Sequence, residues 1–210
     1  MSIPPLSVSE PDPHRYRQLS PPAPEGPIDL ASVLAGEGDI ELEVGFGRGR
    51  FLIERAVACP NARILGLEVK KKWAYMVAAR CDRRGLSNVT AWGADARDVL
   101  ARVEAGSVKR LFMHFPDPWW KKRHQKRRLV GADWLDLVAR VLSREGELFI
   151  QTDVEDRAQD QLGALREHSA FELGGQDGLL DHNPYQARSN REVRAEADGL
   201  PVYRILALRR

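Results

Sequence analysis

The sequence predicts an α/β fold built on a parallel, doubly wound sheet. Strand and helix signals alternate over more than a hundred residues, from Asp29 to about Asp153. A tight glycine turn follows the first strand signal, and acidic residues recur just after successive strands. Alternation of this kind requires crossover helices, and crossover helices bring neighbouring strands into parallel register.

The elements follow in order. Ile40-Glu41-Leu42-Glu43-Val44 is a short strand leading into Gly45-Phe46-Gly47-Arg48-Gly49. Phe51, Leu52, Ile53, Ala56 and Val57 then give an amphipathic helix stopped by Pro60. Ile64–Glu68 is the second strand, and a helix from about Lys71 to Arg84 ends at Gly85. Asn88–Trp92 is the third strand, followed by a short helix reaching Leu100. The fourth strand starts near Val108, and a helix over 132–142 and a strand over 147–151 come next. A further helix to about His168, an irregular segment with Gly and Asn, and a last strand near Tyr203–Leu208 complete the chain. Neither an internal repeat nor a second domain boundary is evident, so residues 28–210 are expected to form one domain.

Residues 1–27 differ in kind. They hold eight of the thirteen prolines and no periodic apolar pattern, which predicts a flexible Pro-rich arm. At 210 residues and 43% hydrophobic, the rest of the chain can bury a sizeable core. Net charge is only +2, yet six Lys or Arg lie within 121–128, and this concentration points to an anionic partner. Cys59 and Cys81 have no metal-type spacing, so neither structural zinc nor any other metal is expected. With no apolar run near membrane-spanning length and no signal-like N-terminus, a cytoplasmic protein is expected.

In doubly wound sheets ligands bind beyond the carboxyl ends of the strands. Four carboxylates fall there: Glu43 with the glycine loop, Glu68, Asp95 and Asp117. A dinucleotide site would need a third glycine where Arg50 stands, and its pyrophosphate would meet Glu43. S-adenosyl-L-methionine fits better, because it has no phosphate, carries two cationic centres and offers ribose hydroxyls. On this reading Gly45, Gly47 and Gly49 let the backbone approach the ligand, Glu68 takes the ribose, Asp95 lies near the adenine amine, and Glu43 balances the methionine end.

The fourth strand runs into HFPDPWWKKRHQKRRLV, residues 114–130. Pro116 and Pro118 stiffen the exit and hold Asp117 between them. Trp119 and Trp120 add flat aromatic surface before the cationic tract. Together these suit a nucleic-acid base and its phosphates.

ELEVGFGRGRFLIERA, ILGLEVKKKW, FPDPWWKKRHQKRRLV and Thr152-Asp153 resemble the bacterial tRNA (guanine-N7-)-methyltransferase family, the TrmB type, over roughly residues 40–155 and more weakly to about 194. The resemblance implies a Rossmann-like class I methyltransferase sheet with an antiparallel last strand, S-adenosylmethionine as donor and the variable loop of tRNA as target. It also implies that Glu43, Glu68, Asp95 and Asp117 bind cofactor, with Asp117 catalytic. Lys121 and Asp153 match substrate contacts, as do Ser189, Asn190, Arg191 and Glu192 in the late SNRE segment. Arg123, His124, Gln125, Lys126, Arg127 and Arg128 match the RNA-contacting tract.

The chain departs from the family in three places: His114 for a common Phe, Trp120 for a usual His, and Arg191 for an aromatic in the late signature. His114 reads as a strand-end packing residue and takes no role. Two other functions are consistent with parts of the sequence. PDPW loosely resembles the loops of exocyclic-amine methyltransferases, although the inserted acid does not match their spacing. A catalytically silent RNA-binding protein would use the same basic tract, but has no need of the cofactor acids. Both a monomer and a homodimer are compatible with the outer helices.

Overall fold

The computed structural model describes residues 19–22, 25–116 and 131–210. Asp117, Trp119, Trp120, Lys121 and the tract Arg123–Arg128 lie outside the described residues, as does most of the 1–27 arm.

The elements are α1 (Leu30–Val33), β1 (Ile40–Val44), α2 (Arg50–Ala58), β2 (Arg63–Leu67), α3 (Lys71–Arg83), β3 (Val89–Trp92), α4 (Ala96–Arg102) and β4 (Val108–His114). Then come α5 (Ala132–Val141), β5 (Leu142–Thr152), α6 (Glu155–Glu167), β6 (Phe171–Leu173), α7 (Asn190–Ala197) and β7 (Tyr203–Arg209). They build one seven-stranded sheet in the order β3-β2-β1-β4-β5-β7-β6. The pairs from β3 to β5 are parallel, and β7 inserts antiparallel to both β5 and β6. The parallel sheet and its antiparallel last strand are as expected.

The strands at the centre read as apolar runs because both faces are covered. One face carries Leu42, Leu65, Leu111, Leu148 and Ile150 against α4, α5 and α6, with Trp134 fully buried among them. The other face packs β2 against α2 and α3 through Leu52, Ile53, Ile64, Val77 and Cys81. Next to that cluster, Phe51, Phe112, Phe149 and Tyr185 form an aromatic group under the segment before α7. Burial pushes the Cys81 thiol up to about 11, so this cysteine is an inert packing residue.

Three features differ from the sequence reading. β5 starts at Leu142 rather than near 147, and its register with β4 slips between Val108 and Arg110. Arg144-Glu145-Gly146 has the composition of a turn, and Glu145 does adopt a positive φ of 58°, yet the ladder continues around it as a bulge. The segment read as irregular contains β6 and the helix α7. The signal for α7 is the Ser189-x-x-Glu192 spacing of a capping box, in which Ser189 Oγ accepts from the Glu192 N–H at 3.1 Å.

Candidate active site

The site lies beyond the carboxyl ends of β1, β2, β3 and β4, where the strand order reverses between β1 and β4. The glycine turn after β1 makes the floor. Gly45, Gly47 and Gly49 all have positive φ, at 75°, 53° and 68°, a region closed to most side chains. Gly49 is also sterically required, since a Cβ there would sit 2.5 Å from Val77 Cγ2 of α3. Close helix packing therefore falls to Gly49, and Arg50 begins α2 without conflict.

Glu68 is buried at the end of β2 and ties this floor together. Its Oε2 accepts from the Gly47 N–H at 3.1 Å and its Oε1 from the Lys70 N–H at 2.9 Å. Asp95 caps α4, accepting from the Arg97 N–H at 2.9 Å, and stays exposed at the rim. Glu68 and Asp95 share a cavity of about 840 Å³ with Gly45, Gly47, Trp73 and His114. Arg48 lies over the Trp73 ring, 5.5 Å from its centroid, beside this cavity.

A second cavity of about 500 Å³ adjoins it across Gly45, Gly47, His114, Phe115 and Pro116. Glu43, Thr152, Asp153, Ser189, Asn190 and Arg191 complete its lining. Glu43 and His114 are both buried, and His114 Nδ1 lies 3.0 Å from Glu43 Oε1. Phe115, the next residue, holds a φ of 48° while its N–H donates to Gln151 O at 2.8 Å. A bulky residue in that region is strained, and strain of this kind persists only where the surroundings enforce it.

The SNRE segment divides its work. Arg191 reaches across to Asp153, donating from Nε at 2.9 Å, so this pair forms one rim of the second cavity. Ser189 caps α7, and Asn190 opens that helix. Glu192 points away from the second cavity into the protein. It is fully buried and accepts from Gln151 at 2.7 Å, from Asn183 at 3.0 Å and from Arg204 at 3.2 Å. Its place is that of an anchor beneath α7, held by groups from β5, from the segment before α7 and from β7.

Sequence reasoning passed over Glu41, and for His114 it gave the strand-end packing but not the contact with Glu43. Glu41 receives Arg55 at 2.7 Å through both Nε and Nη2, and Arg110 at 3.0 Å. Burial works against the Arg55 charge, but the hydrogen bonds and charge of Glu41 outweigh it and raise the guanidinium pKa above its ordinary value. Tyr185 joins by donating to Glu147 at 2.8 Å, and burial together with that carboxylate raises its phenol well above the usual range. For His114, period-two alternation along β4 is a sufficient signal, since it puts Phe112 and His114 on the face that carries Glu41 and Glu43.

Among the described residues no helix is long and apolar enough to cross a membrane, and no cluster of His, Cys, Asp or Glu is arranged to hold a metal ion.

Residues 37–205 match the model of a family described as "Putative methyltransferase". The chain is 35% identical to the tRNA (guanine-N(7)-)-methyltransferase of Shewanella oneidensis over 173 residues, 79% of this chain and 73% of the relative. It is 33% identical to the protein of the same name from Myxococcus xanthus over 186 residues, 88% of this chain and 90% of the relative. Among solved structures it resembles the 16S rRNA methyltransferase KamB, with a TM-score of 0.59 and 17% identity over 81% of this chain and 87% of that one. That likeness concerns the fold alone.

Proposed function

The chain belongs to the tRNA (guanine-N(7)-)-methyltransferase family, and from that premise we propose that it transfers a methyl group from S-adenosylmethionine to N7 of a guanine in the tRNA variable loop. The observation that carries this reading is the pair of joined cavities, one lined by Glu68 and Asp95, the other by Glu43 and Asp153.

The residues present fit the cofactor. Added Cβ atoms at Gly45 and Gly47 would meet nothing within 4 Å, so the floor between the cavities is open to a ligand. Glu68 has both oxygens in short contact with backbone N–H groups, and this fixes its carboxylate for ribose hydroxyls. Glu43 supplies negative charge for the methionine end. When bound, S-adenosylmethionine supplies a methyl group made electrophilic by its sulfonium.

The protein's task is chiefly alignment. Guanine N7 already holds an in-plane lone pair, so no base is needed to create the nucleophile, and rate is gained by aiming it. Positive charge enters the purine as the methyl arrives, which makes its N1 proton more acidic. A carboxylate accepting from N1 and N2 would grip the ring and stabilise that change. Asp117 is assigned this role, with Asp153 beside the second cavity as a further substrate contact, and Lys121 and the tract Arg123–Arg128 engaging the phosphates. Because phosphate contacts release counterions, tRNA affinity is expected to fall steeply with salt. We place this activity in the cytoplasm.

The test is incubation of the protein with unmodified tRNA and methyl-labelled S-adenosylmethionine, followed by nucleoside analysis. Label in 7-methylguanosine is the expected result. Label in N2-methylguanosine or N6-methyladenosine would overturn the target atom. Asp117→Ala in a folded protein is expected to lower turnover by at least about a hundredfold, the scale of losing one aligned electrostatic contact; near-normal turnover would remove Asp117 from its role.

A further inference from the structure

Glu43 is a buried carboxylate with an incomplete set of partners. Its side chain is 2% exposed, and that of His114 is 3% exposed. His114 Nδ1 occupies Oε1 at 3.0 Å, while Glu43 Oε2 and His114 Nε2 have no hydrogen-bond partner among the described residues. No Lys or Arg among the described residues forms an ion pair with Glu43, in contrast to Glu41. Burying a charge without a cation is costly, so a fold that keeps it there keeps it for a ligand.

The imidazole itself cannot swing freely. Its ring centroid lies 4.1 Å from that of Phe51, 6.0 Å from Phe112 and 6.1 Å from Phe149. Backbone fixes it as well, because His114 is the last residue of β4 in register with Gln151. A ring held this way makes a rigid donor for one carboxylate oxygen. The other oxygen is left unpaired beside the smaller cavity, which Glu43 lines, while His114 borders both cavities.

We propose that His114 is a positioning residue: it holds Glu43 Oε1 so that Oε2 receives the ammonium of the cofactor's amino-acid end. The proposal rests on the cofactor reading above. Phe at this position would pack as well as His but would leave Glu43 unaimed.

The test compares two ligands on the full chain by calorimetry: S-adenosylhomocysteine, and 5′-methylthioadenosine, which keeps the adenosine thioether and lacks the amino-acid end. His114→Phe is expected to weaken S-adenosylhomocysteine about tenfold, the scale of a hydrogen bond to a charged group, and to change methylthioadenosine by less than about twofold. His114→Asn, whose amide N–H falls near the place of Nδ1–H, restores most of the loss. Glu43→Gln gives the same selective loss without touching the ring. Equal weakening of both ligands by His114→Phe, or none of either, overturns the proposal. A wild-type protein that binds neither ligand overturns the cofactor reading instead.

Discussion

Glu41 and Glu43 stand two residues apart on β1, on one face of the sheet, both buried, and their surroundings are opposite. Glu41 is saturated by Arg55 and Arg110, and the network runs on through Glu147 and Tyr185. Glu43 has one imidazole and one oxygen left over. The first arrangement fastens α2 and the segment before α7 onto the sheet; Arg55 Nη1 also donates to Tyr185 O at 2.9 Å. The second fastens nothing further. Burial of a charge does not by itself identify its purpose: complete pairing makes Glu41 a fastening, and incomplete pairing leaves Glu43 with an oxygen for the ligand proposed above.

The largest effect that would break this comparison is on stability. Glu41→Ala strands the buried Arg55 guanidinium, while Arg110 keeps Glu147, and is expected to cost about 3–5 kcal/mol in urea unfolding. Glu43→Gln, equally buried, is expected to leave the unfolding midpoint unchanged or raised, while cofactor affinity falls. Equal destabilisation by the two would erase the distinction. Next, Asp153→Asn is expected to lower kcat/KM for tRNA about tenfold through loss of one charge-assisted contact, with S-adenosylhomocysteine affinity unchanged. Arg191→Phe releases Asp153 from a partly exposed pair, so its stability cost should stay below about 1 kcal/mol, with the change appearing in KM for tRNA. Ser189→Ala removes the cap of α7 and should cost about 1 kcal/mol. The smallest signal is chemical. Cys81, buried with its thiol at about 11, should react with iodoacetamide only through opening, faster in Glu41→Ala and unchanged in Glu43→Gln.

The parts legible in the sequence are those governed by local period. Alternating strands and helices announce the sheet, and acids at or just past strand ends single out Glu43, Glu68 and Asp95, because strand ends follow from a pattern a few residues long. Asp153 and Arg191 were each legible, but not as a pair, since 38 residues separate them. Glu192 was legible as part of a motif and illegible as an anchor: Gln151, Asn183 and Arg204 meet it only after β5, α7 and β7 have docked. The pairing of Glu41, and the contact of His114 with Glu43, were hidden for the same reason. A strand residue declares its face, but the partner waiting on that face is set by the neighbouring strand's register. β5 was misjudged at its start because Glu145-Gly146 has the chemistry of a turn while the ladder accommodates it as a bulge.

The place of β7 bears on how a newly made chain acquires its site. Among the described residues, one stretch from Val44 to Pro116 lines the larger cavity, and a nascent chain can assemble that stretch early. The smaller cavity draws on residues from Glu43 to Arg191 and waits for the C-terminal end of the domain. Until β7 arrives, the β5 edge is bare and β6, only three residues long, has no strand beside it. Without β7 the six β5 residues Glu147–Thr152 would form an open edge of the kind that invites pairing with another chain. β7 removes the edge and brings Arg204 beneath Glu192 in one step. Closing the sheet thus also secures the helix whose first turn carries Asn190 and Arg191 to the smaller cavity.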